Sequence, residues 1–472
     1  MTQRNLDRLS ALDASFLHQE DGHVHMHIGA LTILDGPPPT LSDLLGHIGS
    51  RLGEVPRYRQ RLAHAPLDRG RPVWVDDPAF RLDYHVRHAV LPAPGGHEEL
   101  MSLLARTFST PLDRRRPLWE LWFVEGLHEG GFAFIFKTHH AVVDGVAGVD
   151  LATVLFDLEA HPSRRPAERA WRPAPDPGQL GLVALAAARD LRDGLDLTVR
   201  AAAAVTHPRR AAARARAALE GLGEVVAAAL DPAPATPLNV TIGPYRRFAT
   251  VSLALADFKT IKHALGGTVN DVVLTIVAGA LRRFLEARGA DVDGLALRAM
   301  VPVSLRGTGD EDALGNRLAA VRAVLPVGAA DPLERLLAVR VSMDEVKRSR
   351  QALGAEVLAA VQDFAPPTIL AQASRLAFST RLFNLLVTNI PGPQIPLYVL
   401  GCQIREAYPI AFLPRDHALA VAIMSYNGQL NIGLLADHDA LPELDLIGAW
   451  LAEERQTLLA LAQGTAAADP TA

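Results

Sequence analysis

The chain has 472 residues, 49% of them hydrophobic and 21% charged, which is enough to bury two cores and argues for two or three domains. Its formal net charge of −5 gives no electrostatic reason to expect nucleic-acid binding. Cys402 is the single cysteine, which excludes an internal disulfide and a cysteine-based zinc site.

Met1 to Phe16 mixes charges through its length and lacks the apolar stretch of a signal peptide, so a cytoplasmic location is expected. No run approaches the roughly 20 apolar residues that span a bilayer. His23, His25 and His27 alternate as on one strand face and could in principle ligate zinc, but no fourth ligand accompanies them and no metal site is assigned. Arg114-Arg115-Arg116 reads as a solvated loop, with recruitment of an anionic coenzyme as the alternative. Trp119, in Pro117-Leu118-Trp119, is expected to pack beneath the floor of an active site.

Phe132, Phe134, Phe136, Thr138 and His140 alternate with Ala133, Ile135, Lys137 and His139, the period-2 signature of a strand. Adjacent strand side chains point to opposite faces, so His139 and His140 are not expected to face one substrate together. One is read as catalytic and the other as structural. Asp144-Gly145 then makes a turn, and Val146, Val149, Leu151, Val154 and Leu155 open a helical pattern. An imidazole at a strand end can protrude into a cleft. With a pKa near neutrality it can take the proton of an alcohol or amine attacking an acyl carbonyl, worth roughly a hundred- to ten-thousandfold in rate. The His-His-x-x-x-Asp-Gly pattern therefore reads as an acyl-transfer site that needs no covalent enzyme intermediate. Its bland alternative is two core or surface histidines before an aspartate that caps a helix.

Prolines at 161–166 and 172–177 end a first domain, taken as 1–165, and the Asp231 to Pro237 stretch closes a helical linker, 166–236, ahead of a second domain, 237–472. Between about Gly181 and Leu230, alanine and leucine alternate with arginines. Arg200, Arg209, Arg210, Arg214 and Arg216 have no acidic residue among them. The segment reads either as an interfacial helix on anionic lipid or as a solvated linker. The tail after Gly464 is small and polar and is expected to lack fixed structure.

In the second half, Val272, Val273, Ile276, Val277, Ala280, Leu281 and Phe284 form a helical stripe that puts Thr268 to Asp271 at a helix start. Thr268 with Asp271 matches a capping box, and Asp271 is given that structural role. Asn270, an amide beside free backbone N–H groups, is read as a donor to an acyl carbonyl. Leu295, Leu297, Ala299, Val301 and Val303 alternate as a strand, with Ser304 and Arg306 on its other face or just past its end. Thr388-Asn389 enters the rigid turn Pro391-Gly392-Pro393, where Asn389 either binds substrate or ends a strand. Ser425 ends the strand Ala418 to Met424, and Asn427-Gly428 signals a type I′ hairpin.

Several of these stretches occur together in one family. Leu9 to Phe16, Val55 to Leu62, Asp83 to Arg87, Pro117 to Glu120, the His139 to Gly145 segment, Thr268 to Leu274, Pro302 to Arg306, Gly315-Asn316, Thr388 to Pro393 and Ser425 to Gly428 succeed one another in the order found in bacterial wax ester synthase/acyl-CoA:diacylglycerol acyltransferases. The chain resembles that family from near its start to near its end. The resemblance implies a two-domain α/β fold of the coenzyme A-dependent acyltransferase type, like chloramphenicol acetyltransferase and condensation domains, with an interdomain tunnel. It implies acyl-CoA and diacylglycerol or a long-chain alcohol as substrates, and no cofactor. His140 would be the general base, with His139, Asp144, Gly145 and Asn270 completing the catalytic set. Asp144 would be structural and paired with Arg306. Ser304, Thr388, Asn389 and Ser425 would meet substrate, and Asp271, Asn316 and Trp119 would support the site. It also implies possible contact with a membrane or lipid droplet. Alternatives are a carrier-protein donor, a specialised lipid alcohol, or a non-catalytic lipid-droplet scaffold.

Overall fold

The computed structural model describes residues 7–66, 70–142, 155–162, 171–189, 191–192, 231–304, 318–348 and 379–468. Two six-stranded sheets organise them. The first has strand order β11-β12-β1-β6-β5-β4, with β1 His27–Leu34, β4 Val86–Val90, β5 Trp119–Glu125, β6 Phe132–His139, β11 Tyr398–Val399 and β12 Cys402–Ile410. The second has the order β7-β14-β13-β10-β8-β9, with β7 Arg246–Ala254, β8 Leu297–Ser304, β9 Leu318–Leu325, β10 Leu385–Pro391, β13 Leu419–Tyr426 and β14 Gln429–Asp437. A small hairpin joins β2, Gln60–Ala63, to β3, Val73–Asp76.

The helices arise from caps and apolar stripes. Ser10 accepts the Asp13 N–H and opens α1, Ala11–Gln19. Further helices among the described residues include α2 Leu41–Gly49, α3 Leu82–His85, α4 His97–Ser109, α5 Leu255–Leu265, α6 Val269–Ala287, α7 Pro332–Arg348 and α8 Leu444–Ala468. The stripe of α6 packs Val273, Ile276, Val277 and Phe284 into the second core with Val301, Leu385 and Val421, each such side chain contributing about 1.5–3 kcal/mol on burial. Among the described residues no single helix is long and apolar enough to cross a membrane. Helix α8 runs past Gly464 to Ala468, where the sequence suggested an unstructured tail. The alanines there favour helix, and Thr465 bonds back to the Leu461 carbonyl.

Two further differences concern strand ends and partners. Strand β13 reaches Tyr426, so Ser425 lies inside it and not at its end, because the two-residue turn pairs Tyr426 with Gln429. Asn427 and Gly428 both have positive φ, as a type I′ turn requires. Chain order also does not separate the sheets: β11 and β12 come from the second half yet extend the first sheet, β12 pairing with β1. The segment assigned to the second domain thus sends residues 398–410 across. Asp157 exchanges both backbone hydrogen bonds with Tyr398 of β11 and receives a buried Arg51 guanidinium at 2.5 Å. Of the 166–236 linker, residues 178–189 are helical and seat Leu182 against Ala63 and Val73, while Leu180 is exposed. The arginines from Arg200 to Arg216 lie outside the described residues.

The sheets approach each other where Pro409 of β12 meets Gly433 of β14. A Cβ on Gly433 would stand 2.1 Å from the Pro409 carbonyl oxygen, so only glycine lets the two backbones come this near. Gly433→Ala should therefore wedge the sheets apart and lower the unfolding free energy by about 1–3 kcal/mol in urea titration. An unchanged midpoint would show that the sheets do not depend on this contact.

Candidate active site

All eight residues of β6 are buried, and its two faces feed different cores. Phe132, Phe134 and Phe136 join Tyr58 and Trp119 in the first core. Ala133 and Ile135 join a cluster drawn from both sheets, with Leu31, Phe108, Leu386 and Ala422. His27 stands opposite His139 in the β1–β6 register, so it shares the face of Ala133 and Ile135.

The strand stops at His139. His140 opens a one-turn 3₁₀ helix, His140–Val142, and the period-2 rule no longer governs it. Its ring stacks on Phe16 at 4.0 Å between centroids and meets Phe412 edge-on at 5.7 Å, and both phenylalanines belong to the cluster between the sheets. The expectation that the two histidines take opposite faces is corrected accordingly. The tight turn brings His140 round to the side that His139 already faces.

Beneath the turn lies a buried polar cluster. The His139 Nδ1 accepts the Ala141 N–H at 3.0 Å, which leaves the ring proton on Nε2, 3.2 Å from the Glu20 carboxylate. Glu20 Oε1 also accepts the Met26 N–H at 3.1 Å, and Arg114 Nε donates to Glu20 Oε2 at 3.0 Å. Arg114 is therefore engaged, where the sequence suggested a solvated loop. Arg115 and Arg116 pair with Asp113, and Arg116 lies over the Tyr84 ring. His25 and His27 stack at 5.2 Å, and His27 Nε2 accepts the Leu112 N–H. His23 and His25 precede β1, and only His27 lies within the strand. Lys137 donates to the carbonyls of Thr107 and Thr110 at the C-terminal end of α4, where a cation is favoured.

Burial sets the charge states. It would raise the Glu20 carboxyl, but His139 and Arg114 beside it outweigh that effect and hold Glu20 at about 2. His25 and His140 are each pushed down to about 4, chiefly by burial, with Arg246 adding to the first and His139 to the second. His27 lies well below the usual histidine range through burial and the Lys137 ammonium. Burial also brings Lys137 down to about 8. The imidazole of His140 is thus neutral near pH 7, and its buried Nδ1 has no hydrogen-bond partner among the described residues.

On the second sheet, two of the sequence-selected amides meet. Asn389 of β10 donates its Nδ2 to Asn270 Oδ1 at 3.1 Å, an arrangement that presents the Asn270 Nδ2 donors on the other side of the same amide. The capping box of α6 forms, with the Asp271 N–H bonded to Thr268 Oγ1 and the Thr268 N–H to Asp271 Oδ2. Thr388 pairs in register with Ala422 of β13. Ser425 Oγ accepts the Gly392 N–H and the Gln394 side-chain amide, tying the hairpin strand to the Pro391–Pro393 turn. Trp119 is fully buried, donates to the Tyr58 carbonyl at 2.8 Å and stacks on His85. Ser304 ends β8, opposite Leu318, with only its backbone described. Asp144, Gly145, Arg306 and Asn316 lie outside the described residues. Sequence reasoning missed Glu20, Phe16 and Phe412 as neighbours of the histidines. Phe16 closes the family-like Leu9 to Phe16 stretch, a signal that was available, whereas Phe412 carries none.

Comparison with known proteins joins these pieces. Residues 9–273 match the family model described as the wax ester synthase/diacylglycerol acyltransferase catalytic domain, and residues 314–458 match the WS/DGAT C-terminal domain. The chain belongs to this family. A probable diacylglycerol O-acyltransferase of Mycobacterium tuberculosis is 32% identical over 462 residues, covering 97% of each chain. A second from that organism is 34% identical over 455 residues, covering 94% of this chain and 97% of its own. The solved wax ester synthase/diacylglycerol acyltransferase of Marinobacter aquaeolei superposes with a TM-score of 0.68 at 28% identity, over 97% of this chain and all of that one. The starter condensation domain of rhizomide synthetase, solved with C8-CoA and Leu-SNAC, shares the fold at a TM-score of 0.59 and 14% identity, over 97% and 94% of the two chains. The protein is thus an acyltransferase on the condensation-domain fold. Within the wax ester synthase/diacylglycerol acyltransferase framework, the catalytic model spans Glu20, both histidines and Asn270, and the C-terminal model spans Asn389, Phe412 and Ser425.

The buried histidines carry a stability consequence. The folded pKa values of His25 and His140 lie below the free value of 6.5, so their contribution is complete above about 6.5 and is lost as pH falls toward about 4, with His27 depressed in the same direction. Glu20, also depressed, keeps its contribution above its free value of 4.5 and loses it only as pH falls toward about 2. The urea midpoint should accordingly drop between about pH 7 and pH 5.5, where these histidines dominate the titration. A constant midpoint over that interval would contradict the buried, neutral assignment.

Proposed function

We propose that the chain transfers a fatty acyl group from acyl-CoA to the hydroxyl of a diacylglycerol or a long-chain alcohol, giving triacylglycerol or wax ester, with His140 as the general base. The observation that carries the reading is the unpartnered, buried nitrogen of a neutral imidazole at the end of β6. Leaving such a group unsatisfied is costly, and a proton received during reaction gives it a purpose. The names of the Mycobacterium and Marinobacter relatives support the two acceptors.

The chemistry needs no enzyme-bound acyl group. His140 takes the acceptor hydroxyl proton as the oxygen attacks the thioester carbonyl carbon, forming the C–O bond and a tetrahedral oxyanion. Asn270 Nδ2 and backbone donors at the start of α6 are assigned to that oxyanion. Collapse breaks the C–S bond, and the thiolate takes the proton from the imidazolium, so coenzyme A leaves as the thiol. Holding donor and acceptor in line in a tunnel between the sheets accounts for much of the acceleration. No cofactor enters either step. Asp144 and Arg306 are assigned to the shape of the loop after His140. We place the protein in the cytoplasm in contact with a lipid surface, toward which Ile390 and Ile395, 53% and 50% exposed on the turn after Asn389, offer apolar contact.

Purified protein given palmitoyl-CoA with hexadecanol or with diacylglycerol should release coenzyme A and form the corresponding ester. His140→Ala should lose at least about a hundredfold in kcat. Turnover by the variant equal to wild type would end the assignment of His140 as base. Absence of product from folded wild type with either acceptor would redirect the donor to a carrier protein.

A further inference from the structure

Glu20 takes no part in proton transfer by His140, yet its carboxylate reaches the backbone that carries His140 by two routes, one through a close contact with His139 and one through hydrogen bonds. One goes through a side chain: Glu20 faces His139 Nε2 at 3.2 Å, and His139 Nδ1 receives the Ala141 N–H at 3.0 Å. The other goes through β1's approach: Glu20 Oε1 receives the Met26 N–H at 3.1 Å, and the Met26 carbonyl receives the His140 N–H at 2.8 Å. The amides on both sides of the His140 Cα are thus fixed by one carboxylate. Arg114 holds that carboxylate from the other side and is itself anchored by the Leu17 carbonyl, at the end of α1. Phe16 of the same helix stacks on the His140 ring.

The second imidazole near Glu20 does not duplicate this link. His27 Nε2 lies 3.6 Å from the carboxylate and accepts the Leu112 N–H, so its facing nitrogen has no proton to give. Of the two imidazoles, only His139 turns its protonated nitrogen toward Glu20. If the carboxylate were replaced by a group that can donate, the tautomer of His139 would no longer be dictated, and with a proton on Nδ1 the ring could not accept from Ala141. The turn would lose the bond that sets its pitch.

We propose that Glu20 is a positioning residue for acyl transfer, fixing the tautomer of His139 and through it the 3₁₀ turn that aims His140. The proposal rests on His140 acting as base. Its effect falls on the geometry of reaction and not on acyl-CoA binding, so it predicts a split between kcat and KM.

Glu20→Gln keeps the size of the side chain and removes its charge. In the full-length protein, kcat should fall by about a hundredfold, the scale expected when a reacting group is displaced by roughly an ångström, while KM for palmitoyl-CoA stays within about twofold. In the ¹⁵N spectrum of histidine-labelled protein, the signal of His139 should shift from a single Nε2–H form toward a mixture. If the variant does not fold, Arg114→Gln, which loosens the same carboxylate from its more exposed side, should show the same split at smaller size. Wild-type kcat in a folded Glu20→Gln, or a rise in KM with kcat unchanged, overturns the proposal. His140→Ala measured alongside separates the two claims: if it is inactive while Glu20→Gln is normal, only the positioning role fails, and if it is active, the base assignment fails.

Discussion

A strand covered on both faces can offer a side chain to a substrate only where it ends. Strand β6 is such a strand, with phenylalanines packed on Trp119 on one side and Ala133 and Ile135 facing the second sheet on the other. The first residue past its end is His140, and the geometry of the whole site depends on how the chain turns there. A 3₁₀ turn takes the ring out of the strand's alternation and lays it between Phe16 and Phe412, so that α1 and the segment after β12 both touch it. The second sheet must then come close enough to close the space in front, and Gly433 against Pro409 is where the two backbones allow it.

Apolar walls alone would leave the turn unspecified, and the charges beneath it carry a cost. Removing a carboxylate from water costs several kcal/mol unless neighbours replace its hydration. Glu20 is 13% exposed and has three such neighbours in Arg114, His139 and the Met26 amide. The resulting cluster is more stringent than a hydrophobic filling of similar size, because each hydrogen bond admits one geometry. Stringency is what an acyl-transfer site needs, since a base that wanders by an ångström loses much of its effect.

Much of this was legible locally. Alternation from Phe132 onward located β6, the Thr268–Asp271 spacing located the start of α6, and Asn427-Gly428 located the β13–β14 hairpin, because each depends on residues two to four apart. Contacts between distant residues were not legible. Nothing in Cys402–Ile410 says that its partner is β1, some 370 positions earlier, and nothing in Glu20 says that it will meet His139. The turn at His140 was misjudged for a related reason: period-2 reasoning assumes that the strand continues, whereas the Ala141 N–H turns back to His139 Nδ1 and His140 opens a 3₁₀ turn. The pairing of Asn270 with Asn389 was also hidden, although both amides stood out individually.

The protein is an acyltransferase, and the base we propose for it, His140, is neutral through burial and oriented through a buried carboxylate. The most direct check is the ¹⁵N imidazole spectrum of selectively histidine-labelled, full-length protein across a pH titration. The His140 ring should stay neutral at about pH 6, protonating only as pH approaches 4. A His140 resonance already in the imidazolium form at about pH 6 would contradict this reading of the site, for the base would then be charged and occupied at the outset.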